Sequence, residues 1–145
     1  MKKILAPAIF AVLSSAAVAA DSTGSVYLDF QNAVEAAVSD GKLDGSIKYY
    51  LRGQTLPGEV KETFPETADK KQPRTQGLIA GDCRDALLRV LASFEEEAKK
   101  FGANAVIDIV SFYGQNHYAS PTKVWCNDSN RDSIMQLRGK PVIVK

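Results

Sequence analysis

GDCRDALLRVLASFEEEAKKFGANAVIDIVSF, residues 81–112, decides the fold of this chain. It predicts a capped helix, a tight turn and a buried strand. Asp82 is a suitable N-cap, and Asp85 can reach back to it in the manner of a capping box. Leu87, Val90, Leu91, Phe94, Ala98 and Phe101 follow at spacings of three and four, one apolar stripe on a 3.6-residue period. Glu95/Lys99 and Glu96/Lys100 are i,i+4 pairs in the favourable order, and both lysines fall where the helix dipole is negative. Gly102 supplies the left-handed residue that ends the helix. Residues 105–112 are apolar on both faces apart from Asp108 and Ser111, the pattern of an interior strand.

Toward the N-terminus, Lys2 and Lys3, the apolar run 4–13 and Ala17-Val18-Ala19 make the three parts of an export signal. A cleaved leader is expected at 1–20 and a single periplasmic domain at 21–145. The apolar run is shorter than the roughly 20 residues of a membrane span, so no transmembrane segment is expected. No Cys follows the small residues to carry a lipid. Loss of two lysines takes the formal charge from +1 to about −1, which argues against a nucleic-acid partner held through phosphates. Two cysteines in an exported chain point to a disulfide rather than a metal site.

Between leader and core, Phe30, Val34, Ala37 and Val38 share one face of a short helix that Asp40-Gly41 ends. Residues 46–51 predict a strand with Ile47, Tyr49 and Leu51 on one face, Lys48 and Tyr50 on the other, and Gly53 closing it. Residues 54–75 carry Pro57, Pro65 and Pro73, with Leu56, Val60 and Phe64 as anchors, and predict a long, loosely pinned connection. Lys70, Lys71 and Arg74 make a small basic cluster there, read as a solvated loop with an anion or headgroup contact as the alternative. Beyond the core, YGQNHYASP at 113–121 is a polar turn, and 122–126 a short strand with Val124 and Cys126 on one side and Trp125 on the other. A loop at 127–133 leads to a last strand at 134–145, where Gly139 and Pro141 suggest a bulge or an edge position. The expected fold is α/β of the α+β kind. It is a small single-domain sandwich, a mainly antiparallel sheet packed on one long helix plus a short N-terminal helix.

KLDGSIKYYLRG, the helix at Cys83, GANAVIDIVSFY, the later Cys126 and the closing LRGKPVIVK together resemble a family of small exported bacterial proteins labelled "excinuclease ATPase subunit". The likeness covers nearly the whole mature chain. The helix–GANAV–strand portion is also similar to the small heavy-metal-binding domain family and to the periplasmic domain of the Rcs envelope-stress sensor lipoprotein. In that sensor the Cys before the helix is bonded to one on a late strand, which implies a Cys83–Cys126 disulfide here. This chain lacks the sensor's second cysteine pair and its lipidated Cys.

The ATPase label fails against the residues. A P-loop needs a Gly-rich turn followed by Lys and a hydroxyl residue, whereas Gly139-Lys140 is followed by Pro141, which removes an amide and offers no hydroxyl. His117, Cys83 and Cys126 are the candidate metal ligands, but no CxxC or HxxxH spacing gathers them, and neither metal nor cofactor is expected. Cys83 at a helix N-terminus would be a low-pKa redox thiol if free; with no second Cys in a CxxC, the disulfide is the stronger reading. Asp108 is expected near the sheet's end or paired with a Lys or Arg; it lacks an identifiable catalytic partner, and no GxSxG elbow supports a hydrolase. Tyr113, Asn116, His117, Tyr118 and Trp125 cluster around one turn as a candidate interaction patch, against the ordinary explanation that some of them cap the end of the core. The expected function is therefore a non-enzymatic, periplasmic binding protein whose partner is another envelope protein. A small-ligand or metal-binding module is the alternative, with an unrecognised hydrolase behind it.

Overall fold

The computed structural model describes residues 24–68, 79–128 and 133–145, with the backbone alone at 79–82. The expected leader and the Lys70/Lys71/Arg74 cluster lie outside the described residues.

The central helix runs over Ile79–Lys100 (α2 below). It starts before Asp82, which therefore lies in the first turn and not at the cap. Gly81 does not stop it, since first-turn amides have no intrahelical partner to lose. Leu87, Val90, Leu91, Phe94 and Ala98 are fully buried, joined by Cys83 and Ala86. The helix ends in a Schellman motif: Ala103 N–H bonds to the Ala98 carbonyl at 2.9 Å and Gly102 N–H to that of Lys99 at 3.1 Å, with Gly102 at φ +70°. Phe101 falls past the last full turn and departs from the expected stripe. It is 38% exposed and stacks on Phe64 with centroids 5.0 Å apart.

The other elements are β1 (Gly24–Asp29), α1 (Phe30–Ser39), β2 (Lys48–Leu51), β3 (Val60–Thr63), β4 (Thr67–Ala68), β5 (Ala105–Tyr113), β6 (Asn116–Tyr118), β7 (Lys123–Asp128), β8 (Ser133–Ile134) and β9 (Leu137–Val144). The chain is a mixed α+β sandwich, as expected, with its strands in two sheets. One has the order β1-β7-β8; the other has β2-β5-β9-β3, with β4 also on β9 and β6 on β5. Among the described residues every strand pairing is antiparallel except β2 with β5. Asp29 caps α1, its carboxylate accepting from Asn32 N–H at 3.0 Å, and Asp40-Gly41 ends that helix as expected. The stretch 54–75 is not simply a loop: its described part holds β3 and β4, both paired to β9.

The core lies between α2 and the two sheets. Val106, Ile109 and Leu137 enter it from one sheet, Val124 and Cys126 from the other, with Phe30, Tyr49, Leu51 and Met135 around them. The buried Tyr49 hydroxyl donates to the Leu91 carbonyl at 3.2 Å, which satisfies its polar end. Burial, then the nearby Glu95 and Asp44 carboxylates, push its ionisation well up. Cys83 and Cys126 form a disulfide with Cα atoms 6.0 Å apart, tying the start of α2 to β7. Cys83 is thus not a free redox thiol.

β5 carries one residue more than either neighbour between Val106 and Val110. Tyr49 and Leu51 of β2 face Val106 and Ile109, while Arg138 and Lys140 of β9 face Val110 and Ile107. The extra residue is absorbed at Asp108, which takes φ +56°. A bulge reverses the side-chain alternation, so Val106 and Ile109 both point into the core. The bulge suggested for the last strand thus lies on β5, opposite Gly139. β9 is also not an edge strand. Pro141 lies at the break where β3 gives way to β4; its carbonyl accepts from Phe64 N–H at 2.9 Å and its missing amide falls between the two ladders.

Candidate functional site

β5 and β6 form a hairpin that extends beyond the main ladder. Ser111 faces Tyr118, Phe112 faces His117 and Tyr113 faces Asn116 across it. Gly114 opens the two-residue turn at φ +58°, the sign a primed hairpin turn requires there. Paired residues share a face, and the hairpin therefore splits the expected patch in two.

On one face, Tyr113, Asn116 and Tyr118 turn toward β1 and β7. Tyr113 meets Trp125 edge-on, centroids 6.2 Å apart at 84°, and Tyr118 meets Tyr27 at 5.0 Å and 53°. Tyr27 and Trp125 are direct cross-strand partners. The four rings thus form one cluster, fixed to the sheet by the Trp125 N–H bond to Ser111 Oγ at 2.9 Å. Tyr27 and Tyr113 remain 49% and 38% exposed although each packs against another ring. The indole Nε1 of Trp125 is buried and has no hydrogen-bond partner among the described residues.

His117 lies on the opposite face. Its ring is 6.5 Å from that of Phe112, and Arg138 Nη2 donates to His117 Nδ1 at 2.8 Å. Arg138 also covers the Phe112 ring at 5.8 Å and approaches Glu66 at 4.0 Å. The His117 that sequence proximity grouped with Tyr113, Tyr118 and Trp125 belongs to a separate Phe112–His117–Arg138 cluster. Tyr27, which completes the first cluster, was invisible to a reading by proximity.

The candidate metal ligands do not assemble. Both cysteines are spent in the disulfide, His117 Nδ1 is engaged by a cation, and among the described residues no group of three or more His, Cys, Asp or Glu converges. Gly139-Lys140, the nearest approach to a P-loop, is extended strand within β9. Asp108 has two cationic neighbours: Arg52 donates from Nε at 2.6 Å and from Nη2 at 3.0 Å, and Lys140 Nζ lies at 3.3 Å. The Arg52 bonds, against a smaller opposing effect of burial, hold its carboxyl below the usual carboxylate range. Among the described residues no helix is long and apolar enough to cross a membrane. Comparison with protein-family models, curated proteins and solved structures finds no significant match.

Proposed function

We propose that this chain is a non-enzymatic binding protein of the cell envelope, exported to the periplasm, whose partner is another envelope protein. The Tyr27–Tyr113–Tyr118–Trp125 cluster carries the reading. A ring set that serves only to close a core is covered by its neighbours; here two rings keep large exposed areas while a backbone-to-hydroxyl bond fixes the strand beneath them. Rigid aromatics beside an exposed Asn116 are the side chains that dominate protein contacts, because they bury much area for little lost rotamer freedom. The Cys83–Cys126 disulfide is in keeping with an oxidising compartment. The test is in-cell photo-crosslinking from Tyr113, Asn116 and Tyr118, with Lys42 and Lys61 as exposed controls. A discrete adduct from the hairpin positions and not from the controls is expected. Equal labelling from all five would overturn the reading.

A further inference from the structure

The Asp108 bulge shapes a second place, on the sheet face turned away from α2, that the proposed partner surface does not use. Next to it lies a depression of 290 Å³ bounded by Tyr50, Leu56 and Ile107 on its apolar side and by Arg52, Asp108 and Lys140 on its charged side. Two cationic side chains share the Asp108 carboxylate here, with Glu66 a more distant second carboxylate acting on Arg52. Arg52 spends Nε and one Nη2 hydrogen on Asp108, which leaves its other guanidinium N–H groups, and two of the three Lys140 ammonium hydrogens, for other acceptors. The Arg52 and Lys140 side chains are 48% and 44% exposed, and a solute can reach them.

A left-handed, non-glycine residue inside an interior strand is a local strain that persists where its surroundings over-determine it, often at ligand clamps. Asp, like Asn, tolerates this left-handed position, so the backbone alone does not call for the two cations that converge on it. We infer that the Arg52–Asp108–Lys140 group and its apolar wall form a binding site for a small organic carboxylate. The ligand's anionic end would take the unspent Arg52 and Lys140 donors, and a short hydrocarbon body would lie on Tyr50, Leu56 and Ile107. The planar guanidinium fork favours a carboxylate, and the apolar wall disfavours a bare inorganic anion. Asp108 positions Arg52 and also competes with the ligand for its charge.

Sodium octanoate is the probe, with octanol as its neutral counterpart and inorganic phosphate as the bare anion. Each is titrated into the disulfide-intact mature protein while amide shifts are followed by NMR. Octanoate is expected to give saturable shifts centred on Arg52, Ile107 and Asp108, half-complete at about 1 mM, the strength of one charge-assisted contact plus modest apolar burial. Octanol and phosphate should each bind at least about tenfold more weakly. Arg52→Gln and Lys140→Gln should each weaken octanoate binding severalfold, with the spectrum elsewhere unchanged. Asp108→Asn, which removes the competing charge and keeps a side chain suited to positive φ, should tighten it. The inference is overturned if octanoate shifts do not saturate by about 20 mM, twentyfold above that half-point. It is also overturned if octanol or phosphate binds as well, if both glutamine variants bind unchanged, or if Asp108→Asn weakens binding. Should Arg52→Gln fail to fold, Lys140→Gln and Asp108→Asn decide it, since they predict opposite signs.

Discussion

Gly139 lies so close against Val106 that a Cβ placed on it would sit 2.7 Å from the Val106 Cγ1, and 2.9 Å from the Cγ1 of Ile109. The β5 bulge drives both of those side chains inward, and the missing Cβ across the ladder makes the room. Gly139→Ala should therefore destabilise by about 1–3 kcal/mol through overpacking, measured by urea melts. Val106→Ala in the same chain should recover part of that loss, a coupling that independent sites do not show. Gly102→Ala is a useful contrast. Its Cβ would meet nothing within 4 Å, and its cost of roughly 1 kcal/mol would come from φ +70° alone.

The facing of α2 gives a second test. Leu91→Ala and Phe94→Ala each empty a fully buried position and should cost about 2–5 kcal/mol. Glu96→Ala removes an exposed partner of Lys100, 3.4 Å away, and should cost a few tenths of a kcal/mol at most. Phe101→Ala should fall between them, because that ring touches Phe64 yet is partly in solvent.

The sequence made α2, its Gly102 stop, α1 and the disulfide legible, because each rests on local spacing or on a pair without rivals. β3 was hidden because all four of its residues are exposed, leaving no apolar alternation to see. β1 was hidden because the run 24–29 leads directly into a helix whose apolar period dominates it. Asp108 stood out as a charged exception, but nothing local said that it absorbs an extra residue and reverses the strand's parity. That fact depends on the registers of β2 and β9 together. The candidate surface was half legible: Tyr113, Tyr118 and Trp125 do meet in the same cluster. The pleat, which proximity in sequence ignores, sends His117 to the other face and brings in Tyr27 from the first strand.

The disulfide closes a segment of sequence separation 43 that contains most of α2 and all of β5. The chain-entropy model gives about 4 kcal/mol for a loop of this size, a large part of the roughly 5–15 kcal/mol typical of a domain. Cys126→Ser should lower the melting temperature relative to the oxidised wild type. With reductant present, the two proteins should melt almost together. Thiol titration of the denatured wild type without reductant should find no free cysteine.

Asp108 gives a pH signature. Its folded-state pKa is depressed, so the stability it contributes is present above about pH 4 and lost as pH falls through the lower folded value. Asp108→Asn keeps the shape and removes the charge. Wild type should be the more stable at pH 7, by under about 1 kcal/mol for a pair with an exposed Arg52 partner. The gap should close below about pH 4. Asp44, whose carboxyl is likewise held low by the Lys99 ammonium and by Ser46, is common to both proteins and cancels. A gap independent of pH would show that Asp108 acts through backbone geometry alone.

The tyrosine cluster at the hairpin is proposed as a contact surface and not a lid on the core. The most direct measurement is the yield of the crosslinked adduct from a probe at Asn116, compared between wild type and Tyr113→Ala/Tyr118→Ala, with urea melts of both. Loss of most of the adduct while the double variant keeps its cooperative fold is the predicted result. An adduct of unchanged yield, or one lost together with the cooperative fold, would contradict the claim.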